Sequence, residues 1–135
     1  GANANFAWGS WLSASNPVIR DIHEYCLVFS KDTFKKPSKG ESSLEKEEFM
    51  ESTLSVWNIN AARAKKIGHP APFPVDLPYK FINLYTYKND LVLDPFIGSG
   101  TTAIAAKKLN RNYVGYEIEK EYIKVANNRL ENEVN

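Results

Sequence analysis

Apolar positions change their spacing several times along the chain, and each change marks an element. Leu91, Val92 and Leu93 form a short continuous apolar run, the pattern of a strand buried in a parallel sheet. Thr102, Ala105, Ala106 and Leu109 then recur at helical spacing, and residues 112–116 (Asn-Tyr-Val-Gly-Tyr) read as a second strand. Tyr122, Val125, Ala126 and Leu130 fall on one face of a last helix, predicted over residues 119–132. Upstream, Pro78 suits the first turn of a helix that continues through residues 79–84. The remaining signals are weaker. Residues 23–30 and 53–59 are strand-like, residues 43–50 have the pattern of a short charged helix capped by Ser43, and residues 35–40 have linker composition. Residues 6–16 read as a loop rich in Trp, Gly, Ser and Asn, and residues 61–68 as irregular or briefly helical. The order strand, helix, strand predicts an α/β fold.

The junction between the first strand and its helix carries the chemistry. Residues 94–102 (Asp-Pro-Phe-Ile-Gly-Ser-Gly-Thr-Thr) join them through a pair of glycines. A helix N-terminus reached in this way turns free backbone N–H groups and the positive end of the helix dipole toward a polar or anionic ligand. The phosphate loop of nucleotide hydrolases needs a lysine after its last glycine, and here Thr101 and Thr102 follow Gly100. A dinucleotide fingerprint places a third glycine where this chain has Ala103, an exchange that pattern sometimes accepts. A plain turn with no ligand is the remaining reading. Against it stands Glu117, at the end of the second strand and about twenty residues beyond the glycines. Nucleotide-cofactor folds use an acidic side chain at that place to accept hydrogen bonds from ribose hydroxyls.

Three segments carry a family resemblance. The run from Asp94 to Thr102 resembles the S-adenosylmethionine loop of DNA methyltransferases that modify exocyclic amines. Residues 69–78 (His-Pro-Ala-Pro-Phe-Pro-Val-Asp-Leu-Pro) resemble the segment before that loop in the circularly permuted, beta-class members, adenine-N6 and cytosine-N4 methylases whose cofactor half follows the catalytic half. Trp8-Gly9-Ser10-Trp11 and residues 20–31 (Arg-Asp-Ile-His-Glu-Tyr-Cys-Leu-Val-Phe-Ser-Lys) resemble the stretch that follows the catalytic motif. The resemblance implies a partial Rossmann-like, S-adenosylmethionine-dependent methyltransferase sheet that lacks its catalytic strand. It implies a single incomplete domain over residues 1–135, with 1–60 on the edge-strand and target-pocket side and 61–135 on the cofactor side. Residues 23–30 and 53–59 would then form an antiparallel pair at one edge of the sheet.

The same resemblance implies S-adenosyl-L-methionine as cofactor. The backbone of Gly98 and Gly100 would approach its methionine part, Thr101 and Thr102 its carboxylate, and Asp94 would fix the loop and the cofactor's amino group. Phe96 would cover the cofactor, Glu117 would hold the ribose, and Phe73 is a further contact. Trp8 and Trp11 either line the target-base pocket or serve as packing elements.

One departure limits the inference. The family's catalytic tetrapeptide, Asp, Asn or Ser followed by Pro-Pro and an aromatic residue, belongs N-terminal to Trp8 and is absent; Asp76-Leu77-Pro78-Tyr79 lacks the first proline. In the family that tetrapeptide accepts protons from a poorly nucleophilic ring amine while its aromatic residue stacks on the flipped base. Positioning and electrostatics of this kind supply most of the acceleration. No catalytic residue is therefore assigned, and the chain alone is expected to bind cofactor without methylating DNA. Loss of the catalytic strand also leaves a gap in the implied sheet. We expect a homodimer, or pairing with a complementary N-terminal half, to fill it. Double-stranded DNA is the expected partner of the complete enzyme, in a restriction-modification setting. The other roles open to the chain are a non-catalytic S-adenosylmethionine-binding or assembly subunit and a structural remnant that dimerises.

Composition adds little. With 43% hydrophobic residues in 135 the chain can bury one core. Seventeen basic and sixteen acidic side chains give a net charge of +1, whereas a self-sufficient DNA binder carries a basic excess on one face. Lys31, Lys35, Lys36 and Lys39, and Arg63, Lys65 and Lys66, read either as solvated loop lysines and arginine or, by resemblance, as phosphate contacts near the recognition region. Lys107, Lys108 and Arg111 meet the C-terminal dipole of the loop's helix. With no signal-peptide core and no apolar run near the roughly 18 residues of a membrane span, the chain is expected to be cytoplasmic. Cys26 is expected to be a small buried thiol. His23 and Glu24, adjacent in a strand, would point to opposite faces, and His69 offers no complementary spacing, so no metal is expected.

Overall fold

Strand β1 (Leu91–Asp94) and strand β2 (Asn112–Gly115) run parallel, with Leu91 opposite Asn112, Val92 opposite Tyr113, Leu93 opposite Val114 and Asp94 opposite Gly115. Parallel neighbours need a crossover connection. Here it is a helix over Thr101–Lys108. The computed structural model describes residues 19, 22–60 and 73–133. By its contacts the chain divides into two units, Gly1–Lys36 and Pro37–Asn135.

All regular elements among the described residues belong to the second unit. In chain order they are α1 (Lys46–Ser52), α2 (Asp76–Tyr85), β1, α3 (Thr101–Lys108), β2 and α4 (Lys120–Asn132). Pro78 sits in the first turn of α2, as its fixed φ and missing N–H predict. Helix α3 is the centre of the unit and contacts α2, α4 and both strands. Its small residues permit this: Ala103, Ala105 and Ala106 are fully buried, and Ile104 is the largest fully buried side chain. Ile82 of α2 packs with Ala105, Ala106 and Leu109, and Val75, Tyr79 and Val92 close around them. The strands begin at paired turns, where Asn89 and Asn110 take positive φ. The Asn89 N–H donates to the Asn110 carbonyl at 2.8 Å.

Helix α1 docks on α2 through polar contacts, so residues from the first sixty share a unit with the glycine loop. Lys80 pairs with Glu51 at 2.8 Å, Asn83 Nδ2 donates to Glu48 at 3.2 Å, and the Trp57 ring lies 4.9 Å from that of Phe81.

Several expectations are corrected. Residues 23–30 and 53–59 form no strand, and no antiparallel pair joins them. A strand exists only where another strand completes its hydrogen bonds, and among the described residues the sheet consists of β1 and β2. Ser43 does not cap a helix: α1 starts at Lys46 after Glu45, and the Ser43 hydroxyl donates instead to Asn83 Oδ1 at 2.6 Å. β1 is not buried on both faces. Val92 points to the core, whereas Leu91 and Leu93 are 63% and 61% exposed, because the helices cover one side of the pair. Cys26 is exposed. Arg111 does meet the C-terminal end of α3, its Nη1 donating to the carbonyl of the C-cap Leu109, but it is also a buried hub, donating from Nε to Thr86 Oγ1 at 2.9 Å, from Nη2 to the Thr86 carbonyl at 2.8 Å and from Nη1 to Ser43 Oγ at 2.6 Å. Lys107 and Lys108 do lie in the last turn of α3, exposed.

Candidate functional site

The carboxyl ends of β1 and β2 lie together, and the glycine loop rises between them. A ligand of an open α/β sheet binds in the crevice at this end. The strands hand over to the loop through backbone bonds: Tyr116 N–H donates to the Asp94 carbonyl and Ile97 N–H to the Tyr116 carbonyl, each at 3.0 Å. Asp94 folds its side chain back so that Oδ1 accepts from the Phe96 N–H at 2.9 Å, which sets the first bend. Gly98 and Gly100 then take φ of 49° and 82°, the left-handed region that an L side chain resists. The Gly100 N–H closes the turn onto the Ile97 carbonyl at 2.9 Å.

Gly100 also has no room for a side chain. A Cβ there would lie 2.9 Å from the Ala126 Cβ and 3.1 Å from its Cα, so the loop and α4 meet backbone to backbone. Gly100 is the N-cap of α3, and no side chain caps that helix. The N–H groups of its first turn have no intrahelical acceptor by geometry, and no acidic residue occupies that turn. The site therefore offers hydrogen-bond donors and a positive dipole end, flanked by carboxylates at the ends of both strands.

Glu117 lies just beyond β2, half-buried, and its Oε1 accepts from the Glu119 N–H at 2.8 Å. That bond fixes the side chain at the start of α4 and leaves a carboxylate with further acceptor capacity. Phe96 is 86% exposed, which excludes core packing and leaves an aromatic wall beside the loop. Phe73 is exposed ahead of α2. Thr102 is half-buried. Thr101 turns inward: it is buried, and its hydroxyl oxygen accepts from Arg129 Nη1 at 3.1 Å. The structure thus gathers Asp94, Phe96, Gly98, Gly100, Thr101, Thr102 and Glu117 along one loop and the ends of two strands. Trp8, Trp11, Arg63, Lys65, Lys66 and His69 lie outside the described residues. Lys31, Lys35, Lys36 and Lys39 are exposed.

Two further residues of this region escape the sequence reading. Gly115, at the end of β2, faces Ile97 so closely that a Cβ would lie 2.2 Å from its Cδ1. Arg129 reaches the back of the loop from α4; it falls on the same helical face as Tyr122, Val125 and Ala126, and a charged residue on an apolar stripe is the signal that could have found it. Among the described residues no group of three His, Cys, Asp or Glu side chains is placed to hold a metal, and no helix is long and apolar enough to cross a membrane. A cleft of about 270 Å³ lies between α1 and α2 and shares no residue with the loop. Its Lys80 and Asn83 are already bonded to Glu51, Glu48 and Ser43, so its polar groups satisfy one another.

Known proteins place the chain. The family model described as DNA methylase, for N6 and N4 methylases, matches residues 5–128. The type II methyltransferase M.BglI of Bacillus subtilis is 42% identical over 93% of the chain and 36% of its own length. M.HindIII of Haemophilus influenzae is 37% identical over 96% of the chain and 45% of its own length. A Thermus thermophilus protein described as a putative DNA modification methylase, solved in complex with S-adenosyl-L-methionine, superposes with a TM-score of 0.61 at 31% identity over 76% of the chain and 40% of that protein. The chain thus spans less than half the length of these relatives. Its parallel pair and the helix between them agree with the α/β fold of that Thermus thermophilus protein, and the chain belongs to the N6/N4 DNA methylase family.

Proposed function

We propose that the chain is the S-adenosylmethionine-binding part of a DNA methyltransferase acting on the exocyclic amine of adenine or cytosine. The observation that carries this is the left-handed Gly98–Gly100 turn, opening onto the uncapped N-terminus of α3 between Asp94 and Glu117. The residues fit the cofactor's chemistry. Backbone N–H groups and the α3 dipole suit its carboxylate, Asp94 its ammonium, Glu117 its ribose hydroxyls, and Phe96, with Phe73 as a further contact, its apolar and aromatic surface. Thr102 reaches the carboxylate by its hydroxyl, whereas Thr101 contributes its backbone N–H because its hydroxyl faces Arg129. When bound, S-adenosylmethionine supplies the methyl group on its sulfonium. This chain's own residues bind and orient the cofactor at fixed strand ends.

By itself the chain binds cofactor and leaves DNA unmethylated, because it contains no Pro-Pro-aromatic tetrapeptide to accept the amine protons and stack the flipped base. Its partners are double-stranded DNA, within the complete enzyme, and either a second copy or a complementary N-terminal half. Calorimetric titration with S-adenosylmethionine tests the cofactor reading, and absence of binding heat together with absence of a thermal shift sinks it. Methyl incorporation into DNA tests the division of labour. We expect none with the chain alone and incorporation once an N-terminal half carrying the tetrapeptide is added.

A further inference from the structure

The loop's conformation is held from behind by a single buried cation. Arg129 of α4 is 9% exposed, and its Nη1 donates to the Ser99 carbonyl at 2.8 Å, to Ser99 Oγ at 3.2 Å and to Thr101 Oγ1 at 3.1 Å. Ser99 and Thr101 are themselves buried, so all these acceptors lie inside the fold. The other side of the guanidinium is fixed by Glu133 one turn later, with Nε to Oε1 at 2.9 Å and Nη2 to Oε2 at 3.3 Å. Glu133 is the partly exposed member of this pair. A planar guanidinium gripped on one edge by a carboxylate presents its remaining N–H groups in a fixed direction.

We propose that Arg129 is a positioning residue for cofactor binding: by holding the Ser99 carbonyl and the Thr101 hydroxyl inward, it locks the Gly98–Gly100 turn and so keeps the uncapped N-terminus of α3 facing the ligand. The carbonyl and N–H of one peptide unit are antiparallel across a planar trans bond, so fixing the Ser99 carbonyl also fixes the Gly100 N–H, which closes the turn onto the Ile97 carbonyl. Occupying the Thr101 hydroxyl also prevents it from folding back to cap α3, the alternative open to a threonine at a helix start. The arrangement rests on the cofactor reading above, but its conformational half does not depend on any ligand.

The test uses the full chain with Arg129→Met and Arg129→Lys. Amide hydrogen exchange without ligand reads the loop directly. In Arg129→Met the Gly100 and Ile97 amides exchange about tenfold faster or more, while those of β1 and the interior of α3 keep their rates. Arg129→Lys, which keeps the charge but not the fork, recovers part of the protection. Titration reads the consequence. Arg129→Met weakens S-adenosylmethionine binding by about tenfold or more, as expected for lost charge-assisted bonds. Binding of 5′-methylthioadenosine, which lacks the amino-acid part, changes less than threefold or so. Uniform acceleration of exchange across the unit, or equal loss for both ligands, makes Arg129 a merely structural residue and overturns the proposal. If the unaltered chain binds neither ligand, the cofactor reading fails, and the exchange pattern still decides the loop's mechanism. Should Arg129→Met fail to fold, Arg129→Lys and Thr101→Val, which deletes an acceptor without opening a cavity, carry the same comparison.

Discussion

Single atoms decide whether the glycine loop exists. At Gly100 a methyl group meets both the left-handed backbone penalty and the Ala126 backbone. Gly100→Ala should therefore lower stability by about 2–5 kcal/mol, the sum of the conformational and overpacking costs. Chemical denaturation measures it, and an effect near zero removes the close-approach argument. Gly115 makes a different demand, since its φ is ordinary and only the Ile97 side chain stands in the way. Gly115→Ala should cost about 1–3 kcal/mol, and much less in a chain that also carries Ile97→Ala. Denaturation of the singles and the double forms a cycle whose coupling has the sign of relieved overlap. The sequence announces these glycines unequally. Gly98 and Gly100 follow a strand and open a helix, a local pattern with a known use. Gly115 reads as any strand residue, because its reason is a contact with a residue eighteen positions earlier. Arg129 and Arg111 were hidden for the same cause: a long basic side chain reads as surface until its acceptors are placed by the fold.

At the scale of elements, local patterns served wherever an element needs only itself. The helices α2, α3 and α4 follow from apolar spacing and Pro78. The pair β1 and β2 follows from apolar runs joined by a helix. The strands expected at 23–30 and 53–59 failed because strand pairing depends on a partner elsewhere in the chain, which periodicity cannot report. The charged helix failed at its cap because Ser43 is drawn to Asn83 and Arg111 rather than to the α1 backbone. Those contacts tie the polar segment before α1 to α2 and the start of β2. Arg111→Met should cost about 2–4 kcal/mol, since it strands the buried acceptors at Thr86 and Leu109. Tyr79 of α2 gives this region a pH dependence. Burial, aided by Glu48, raises its phenol pKa above the ordinary 10.0, against a smaller opposing effect of Arg111. The folded chain thus keeps the proton at a pH where the unfolded chain releases it. Tyr79's contribution is complete below the unfolded value and is lost as pH rises through the folded one. Denaturation midpoints should fall as the pH rises above about 10, and Tyr79→Phe should make that fall shallower. An unchanged slope in the variant assigns the dependence to other groups.

The second unit, in its described residues, carries an exposed apolar sheet face. Leu93 and Val114 are opposite one another in register, so they project on the same side, and Leu91 lies two residues along. They are 61%, 40% and 63% exposed, while the other side of the sheet lies against α2 and α3. Among the described residues neither β1 nor β2 has a second neighbouring strand, and contiguous apolar surface beside such an edge invites association. The complementary N-terminal half proposed above is the occupant to test, and more than half of M.BglI and M.HindIII lies beyond the region this chain matches. If a complementary N-terminal half covers this face, the chain without it should self-associate, and the half should replace self-association with a one-to-one complex. Sedimentation of the chain over a range of concentrations measures the first, and sedimentation of the mixture the second. Leu93→Lys separates a surface effect from a folding effect. An exposed substitution changes stability by about 0.5 kcal/mol or less, yet a charge at the centre of an apolar contact opposes both forms of association. The variant should keep its thermal midpoint, sediment as a monomer and bind the N-terminal half more weakly. A chain that stays monomeric at every concentration and ignores the added half would mean that this face is tolerated bare, and the proposed completion of the sheet would be wrong.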